Sequence, residues 1–234
     1  MVEIGPGLGA LTFPLFRTGA RVIVLEADRW LASALKERLG RKIRERVEVI
    51  HTDALRYDLS ALGRDLVIVG NLPYQISSPL IFKLIDAGRT VNRAVLTLQK
   101  ELAQRIASQP GPKSYGLISV MVQLRARVQT IMDLPPGAFF PIPKVASRTL
   151  RLDFNQPLPR PLADETKFKL LVRAAFNQRR KTLRQALLKA PLGLTKEELE
   201  AIFIEARIDP TLRAEKISVS GFTDLANAYL RVKE

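Results

Sequence analysis

The chain has no cysteine and one histidine, His51, in 234 residues. Disulfides, thiolate zinc sites and cysteine nucleophiles are thereby excluded. A single imidazole leaves too little for a histidine metal site or a Ser-His triad, so no metal centre is expected. Aromatics are scarce, at 6%, and the core must be built from Leu, Ile, Val and Ala. No apolar run approaches the ~18 residues that cross a bilayer. No charged-then-apolar leader stands at the front. A cytoplasmic setting without a membrane partner is expected. The chemistry must come from a bound cofactor or from carboxylates and amides.

Positive charge is abundant. Lys and Arg total 37 against 23 acids, a formal net charge of +14. Such a surface releases counterions on meeting polyphosphate, so nucleic acid is the expected partner and a merely basic enzyme the alternative. The length suits one large domain and a small one.

Residues 1–154 alternate short runs rich in Val, Ile and Leu with helical periods. The runs are Val2 to Ile4, Arg21 to Leu25, Val47 to Ile50, Leu66 to Val69 and Ala94 to Leu98. This order predicts an α/β, Rossmann-like fold with a doubly wound parallel sheet. Arg125 to Met132 and Arg148 to Phe154 read as an antiparallel pair at a sheet edge. Ser78-Pro79 reads as a helix start. Residues 155–161, with three prolines in seven positions, read as a linker. Residues 162–234 show no strand pattern. Asp164 to Phe176, Thr182 to Lys189, Thr195 to Ala206 and Ser220 to Val232 predict a small all-helical second domain, with Thr195 and Glu198 as a capping box. The chain begins inside its first strand, with nothing in front to cover it, and reads as lacking its beginning.

Glu3-Ile4-Gly5-Pro6-Gly7-Leu8-Gly9 is a strand-to-helix turn in which glycine lets backbone approach a ligand. The spacing departs from the Gly-x-Gly-x-x-Gly that seats a pyrophosphate. The acid in front of it, Glu3, suits an ammonium group better than a phosphate. Glu26, ending the second strand, can hydrogen-bond ribose hydroxyls. Asp53, after the third, can accept from an adenine amino group. Adenosine carrying an amino acid is S-adenosylmethionine. Solvated turns or helix caps are the plainer alternatives for Glu26 and Asp53.

The fourth strand runs into Asn71-Leu72-Pro73-Tyr74. The Asn71 oxygen and a backbone carbonyl of this rigid turn can accept hydrogen bonds from a planar amino group, steering its lone pair toward a methyl donor. Tyr74 can stack on an unstacked base, with Phe139 a candidate for the other face and core packing its alternative.

These segments resemble the ribosomal RNA small-subunit adenine dimethyltransferases, the kasugamycin-sensitivity enzymes. The resemblance extends to Asp53-Ala54, to Phe139 through Ser147, to Phe176-Asn177-Gln178-Arg179-Arg180-Lys181-Thr182-Leu183-Arg184 and to Leu225 through Ala228. It implies transfer of two methyls to each of two adjacent adenosines in a hairpin loop near the 3′ end of small-subunit rRNA. It implies a catalytic domain with a helical C-terminal domain, a monomer linked to ribosome biogenesis, and the immature 30S subunit as partner. By this resemblance Gly5, Glu26, Asp53 and Asn71 would contact the cofactor, and Asn71, Leu72, Tyr74 and Phe139 would hold the adenine; Glu3, Gly7 and Ala54 complete the expected cofactor site and Pro73 the catalytic turn. The family carries a helical segment before strand one that this chain lacks.

Arg179, Arg180, Lys181 and Arg184 are the expected RNA contacts. Helical spacing would put 180 and 184 on one face, with Leu183, Leu187 and Leu188 toward the core. A solvated helix face is the alternative. Three rival functions remain: an RNA-binding assembly factor without catalysis, a large-subunit methyltransferase of the macrolide-resistance type, and a nicotinamide oxidoreductase. The last shares the glycine turn but explains neither residues 71–74 nor the charge. His51 reads as incidental and Trp30 as packing.

Overall fold

The computed structural model describes residues 1–154, 156 and 158–233, without the side chain of Lys42. Asn155 and Pro157 of the expected linker lie outside the described residues. Contacts divide the chain into two compact units, residues 1–103 with 126–156, and residues 104–125 with 157–234.

The first unit is built on seven strands: β1 (Val2–Ile4), β2 (Val22–Glu26), β3 (Val47–His51), β4 (Leu66–Asn71), β5 (Val91–Gln99), β6 (Arg127–Leu134) and β7 (Ser147–Asp153). Their order in the sheet is β3-β2-β1-β4-β5-β7-β6. β1 to β5 are mutually parallel. β7 pairs antiparallel with β5, and β6 with β7, so the expected antiparallel pair is present. Connections include α1 (Thr12–Arg17), α2 (Arg29–Arg38), α3 (Arg41–Arg44) and α4 (Tyr74–Asp86). The apolar alternation of β2 and β3 buries Val22, Val24, Val47 and Val49 against Ala32, Leu35 and Leu39, with Phe13 and Phe16 at the margin. The chain order 1-2-3 then 4-5 reverses direction between β1 and β4, and in open α/β sheets ligands bind outside the carboxyl ends at that reversal.

Two expectations fail locally. α4 begins at Tyr74, and Pro79 lies inside it. Pro73 already fixes the entry, so Ser78-Pro79 is helix interior, with one backbone bond forgone. Trp30 is not packing: it stands 82% exposed in the first turn of α2.

α5 (Lys100–Ala107) passes from one unit to the other. The second unit holds α6 (Leu117–Arg125), α7 (Glu165–Asn177), α8 (Leu183–Leu188), α9 (Lys196–Ala206) and α10 (Val219–Lys233). Residues 104–125 were expected with the sheet. Their polar bonds explain the difference: Tyr115 Oη donates to the Ile217 carbonyl (3.0 Å), Gly111 N–H to that of Glu215 (2.8 Å), and Arg125 pairs with Glu165. The Thr195–Glu198 capping box forms in both directions. No helix of the described residues is long and apolar enough to cross a membrane, and no described cluster of His, Asp and Glu could hold a metal ion.

Candidate active site

The sheet order turns four scattered segments into a row. Along the carboxyl rim the ends of β3, β2, β1 and β4 carry Asp53, Glu26, the glycine turn and Asn71 in that order. At ~4.8 Å between strands this row is about 14 Å long. Gly5 (φ 65°) and Gly7 (φ 55°) take left-handed conformations that side-chain-bearing residues rarely adopt. Gly5 N–H donates to the Leu25 carbonyl at 3.0 Å, folding the turn over the end of β2. Arg38 of α2 ties the turn down by donating to the Leu8 carbonyl (2.6 Å).

Glu26 is 6% exposed. Its Oε1 accepts from Asp28 N–H (2.9 Å) and its Oε2, more weakly, from Gly7 N–H (3.4 Å). A carboxylate accepts about four hydrogen bonds, so Glu26 braces the turn and keeps capacity for ribose hydroxyls. Asp53 Oδ1 accepts from Leu55 N–H (2.8 Å), and Oδ2 lies 3.8 Å from Arg56 Nε. The plainer role as a turn residue is therefore realised, with lone pairs to spare. Ala54 is buried.

Glu3 does not stand free for an ammonium group. Its side chain is 1% exposed on the central strand β1, and Oε2 accepts the Thr12 hydroxyl at 2.6 Å. Because successive side chains of a strand point to opposite faces, an acid within β1 must enter the protein, where it anchors α1 to the turn. Burial raises its pKa above the ordinary 4.5; the Thr12 bond opposes and the Glu26 charge adds to the rise. The folded state thus binds a proton more tightly than the unfolded chain, and stability falls as pH rises from 4.5 through the raised value. Glu3→Gln is expected to remove that fall. Thermal midpoints from pH 4 to 7 should show the variant gaining on the unaltered protein as pH rises; parallel curves would refute it.

Asn71 closes β4, paired with Thr97 of β5. Leu72 is buried, and its N–H donates to the Thr97 carbonyl (3.1 Å). The Pro73 carbonyl is committed to α4, accepting Ile76 N–H (3.2 Å) and the Ser77 hydroxyl (3.0 Å). The Asn71 amide and the Leu72 carbonyl remain as acceptors at the rim. A Cβ added to Gly5 would lie 3.8 Å from Pro73 Cδ, so the two turns abut. Tyr74 is 39% exposed beside them.

Phe139 lies in the loop that leads into β7. Lys100 N–H, just past β5, donates to the Ala146 carbonyl (2.9 Å), so the loop before β7 stands at the β5 carboxyl end. Asp133 and Arg148 (2.5 Å) with Lys100 (2.9 Å) clasp the base of that loop, holding the Asp133 carboxyl well below the usual range. Phe139 is half-buried, consistent with one exposed face, while Phe140 is wholly exposed.

The basic segment differs from expectation. Arg179, Arg180 and Lys181 lie in the turn between α7 and α8, outside any helix. Thr182 caps α8 in a box with Gln185, and that cap starts the helix one residue later. The pattern Thr-x-x-Gln was the available signal. Arg180 and Lys181 are exposed; Arg184 is engaged with Glu200 at 2.8 Å. Leu183 and Leu187 are buried as expected, but Leu188 is 37% exposed, because α8 ends there.

Comparison with known proteins shows the family. Residues 1–230 match the family described as ribosomal RNA adenine dimethylase. The ribosomal RNA small subunit methyltransferase A of Desulforapulum autotrophicum is 41% identical over 97% of this chain and 81% of its own. That of Pseudomonas aeruginosa is 44% identical over 97% and 82%. The crystal structure of a dimethyladenosine transferase from Plasmodium falciparum superposes with a TM-score of 0.83 at 26% identity, covering 99% of this chain and 90% of that one. The 23S rRNA methyltransferase ErmE (TM-score 0.72, 22% identity, 97% and 89% covered) shares the fold. With the match spanning both units and every rim residue, the chain belongs to the ribosomal RNA adenine dimethylase family.

Proposed function

We propose that this enzyme transfers two methyl groups from S-adenosylmethionine to N6 of each of two adjacent adenosines, in a hairpin loop near the 3′ end of small-subunit rRNA. One observation carries the reading: Asn71-Leu72-Pro73-Tyr74 ends a rim row of two acids and a glycine turn, and abuts that turn at Gly5. The row fits the cofactor at its adenosine end: Glu26 and Asp53 retain acceptor capacity and the left-handed glycines leave the rim open. Gly5, Gly7, Glu26, Asp53, Ala54 and Asn71 would hold it, and Glu3 would act indirectly through Thr12. The cofactor supplies an electrophilic methyl group on a sulfonium.

The chain's own work is positioning. The Asn71 amide oxygen and Leu72 carbonyl accept the two N6 hydrogens, turning the nitrogen lone pair out of the ring plane toward the donor. Those acceptors also stabilise positive charge growing on nitrogen. Tyr74 and Phe139 stack on the adenine and offset the cost of unstacking it. Pro73 keeps the turn rigid, which preserves near-attack geometry. Each round adds a methyl group to N6 and releases one N6 proton to solvent, so in the second round the single remaining N6 hydrogen is held by one of the two acceptors. The protein works as a cytoplasmic monomer on the immature 30S subunit, as part of ribosome biogenesis.

The test is purified protein with labelled S-adenosylmethionine and undermethylated ribosomal subunits. Dimethyladenosine in small-subunit rRNA is expected. Label confined to large-subunit RNA would replace the reading with the macrolide-resistance type, and no label at stoichiometric enzyme would leave an assembly factor.

A further inference from the structure

The helical unit contains a cleft that the rim chemistry does not use. Its volume is about 480 Å³, within the roughly 300–1,000 Å³ of small-ligand pockets. Three arginines line it, Arg105 from α5, Arg173 from α7 and Arg179 from the following turn, and none of its lining residues is acidic. Leu117, Leu170 and Phe176 supply an apolar wall.

Several features mark it as a site and not a packing flaw. α7 buries one stripe, Phe168, Leu171, Val172 and Ala175, in the unit's core. Leu170, Arg173 and Asn177 form a second stripe, at helical spacing, toward the cleft. Leu170 is 39% exposed there. Five carboxylates of the unit are paired elsewhere: Glu165 with Arg125 and Lys169, Glu200 with Arg184, Glu205 with Arg231, Glu198 with Lys233 and Asp224 with Arg160. Arg105 and Arg173 make no ion pair with the described residues. Arg179 donates to the carbonyls of Lys113 (2.6 Å) and Tyr115 (3.4 Å), which holds it in place with further N–H donors free. Convergent guanidinium groups beside an apolar wall match one ligand class, a phosphodiester bearing an unstacked base.

We propose that this cleft holds one unstacked nucleotide of the RNA substrate, its phosphate on Arg105, Arg173 and Arg179 and its base against Leu117, Leu170 and Phe176. The inference rests on the RNA-modifying reading above. It moves the helical unit's RNA contact away from Arg184 and gives it a defined subsite.

The test is binding of a fluorescein-labelled ten-nucleotide oligoadenylate as a function of salt. Arg105→Glu and Arg173→Glu should each weaken binding by roughly tenfold and lower the salt slope by about 0.7, the share of one single-strand phosphate. Leu170→Ala should weaken it severalfold with the slope unchanged. Arg41→Glu, equal in charge change but in the other unit, should have a smaller effect, and thermal midpoints should show all variants folded. Cleft variants that match Arg41→Glu overturn the proposal alone. An unaltered protein that does not bind RNA overturns the proposal and the RNA-modifying reading together. Displacement of the oligonucleotide by millimolar inorganic phosphate or adenosine monophosphate would assign the cleft to a free phosphate or nucleotide and overturn the RNA assignment.

Discussion

Asn71→Ala is expected to lower the turnover of adenine methylation by roughly 10²–10³-fold, a loss of about 3–4 kcal/mol of transition-state stabilisation. The side chain stands at the exposed end of β4 and bonds to none of the described residues, so its truncation removes little from the fold. Its backbone pairing with Thr97 survives the change. The loss therefore falls on the reacting nitrogen. With Asn71 gone, only the Leu72 carbonyl holds an N6 hydrogen, and neither lone-pair direction nor developing charge is controlled. Both kcat and kcat/KM for the RNA should fall together, because the interaction strengthens as charge develops. The measurement is the initial rate of label transfer to undermethylated small subunits, alongside a melting curve. A variant within threefold of the unaltered rate would remove Asn71 from the mechanism. A collapsed melting curve would show the residue to be structural.

The features that could be read from the sequence are those set by local chemistry. Short Val- and Ile-rich runs between turns gave the five parallel strands. Glycine at positions that need φ above zero marked the ligand turn, and the acids at the ends of β2 and β3 followed from the strand boundaries. Features decided by distant contacts were not legible. Nothing local shows that β7 inserts between β5 and β6, a choice made by pairing across some fifty residues. Nor does anything near residues 104–125 show that Tyr115 bonds to Ile217. Glu3 illustrates the limit within the site. The acid before a glycine turn was visible, but its burial depends on β1 lying between β2 and β4, and that position sets its carboxylate against the Thr12 hydroxyl. Helical spacing groups Arg180 with Arg184, but Thr182 caps α8, so Arg180 stands in the turn before the helix and the two share no helix face.

Gly70 joins the fold to the chemistry, and Gly70→Ala is expected to damage both. A Cβ at this position would sit 2.8 Å from the Ile4 carbonyl oxygen and 3.0 Å from Leu72 Cδ2. The first neighbour is backbone of the adjacent strand and cannot rotate away. β4 and β1 must separate at the reversal point, or β1 must shift with the glycine turn that follows it. Overpacking of this kind costs roughly 2–3 kcal/mol, which lowers the thermal midpoint by roughly 5–10 °C in a chain of this size. The second neighbour carries the displacement into the site, since Leu72 anchors the turn between Asn71 and Pro73. A shift near 1 Å in a positioned group costs up to about a hundredfold in rate. Methyl transfer should therefore fall by ten- to a hundredfold at a temperature where the variant remains folded. Gly40→Ala is the control, because a Cβ there meets nothing within 4 Å and should leave both readings near those of the unaltered protein. A Gly70→Ala protein that melts within a degree of the unaltered one would show that the strands tolerate a methyl group between them, and that the close approach of β4 to β1 is not what sets the turn.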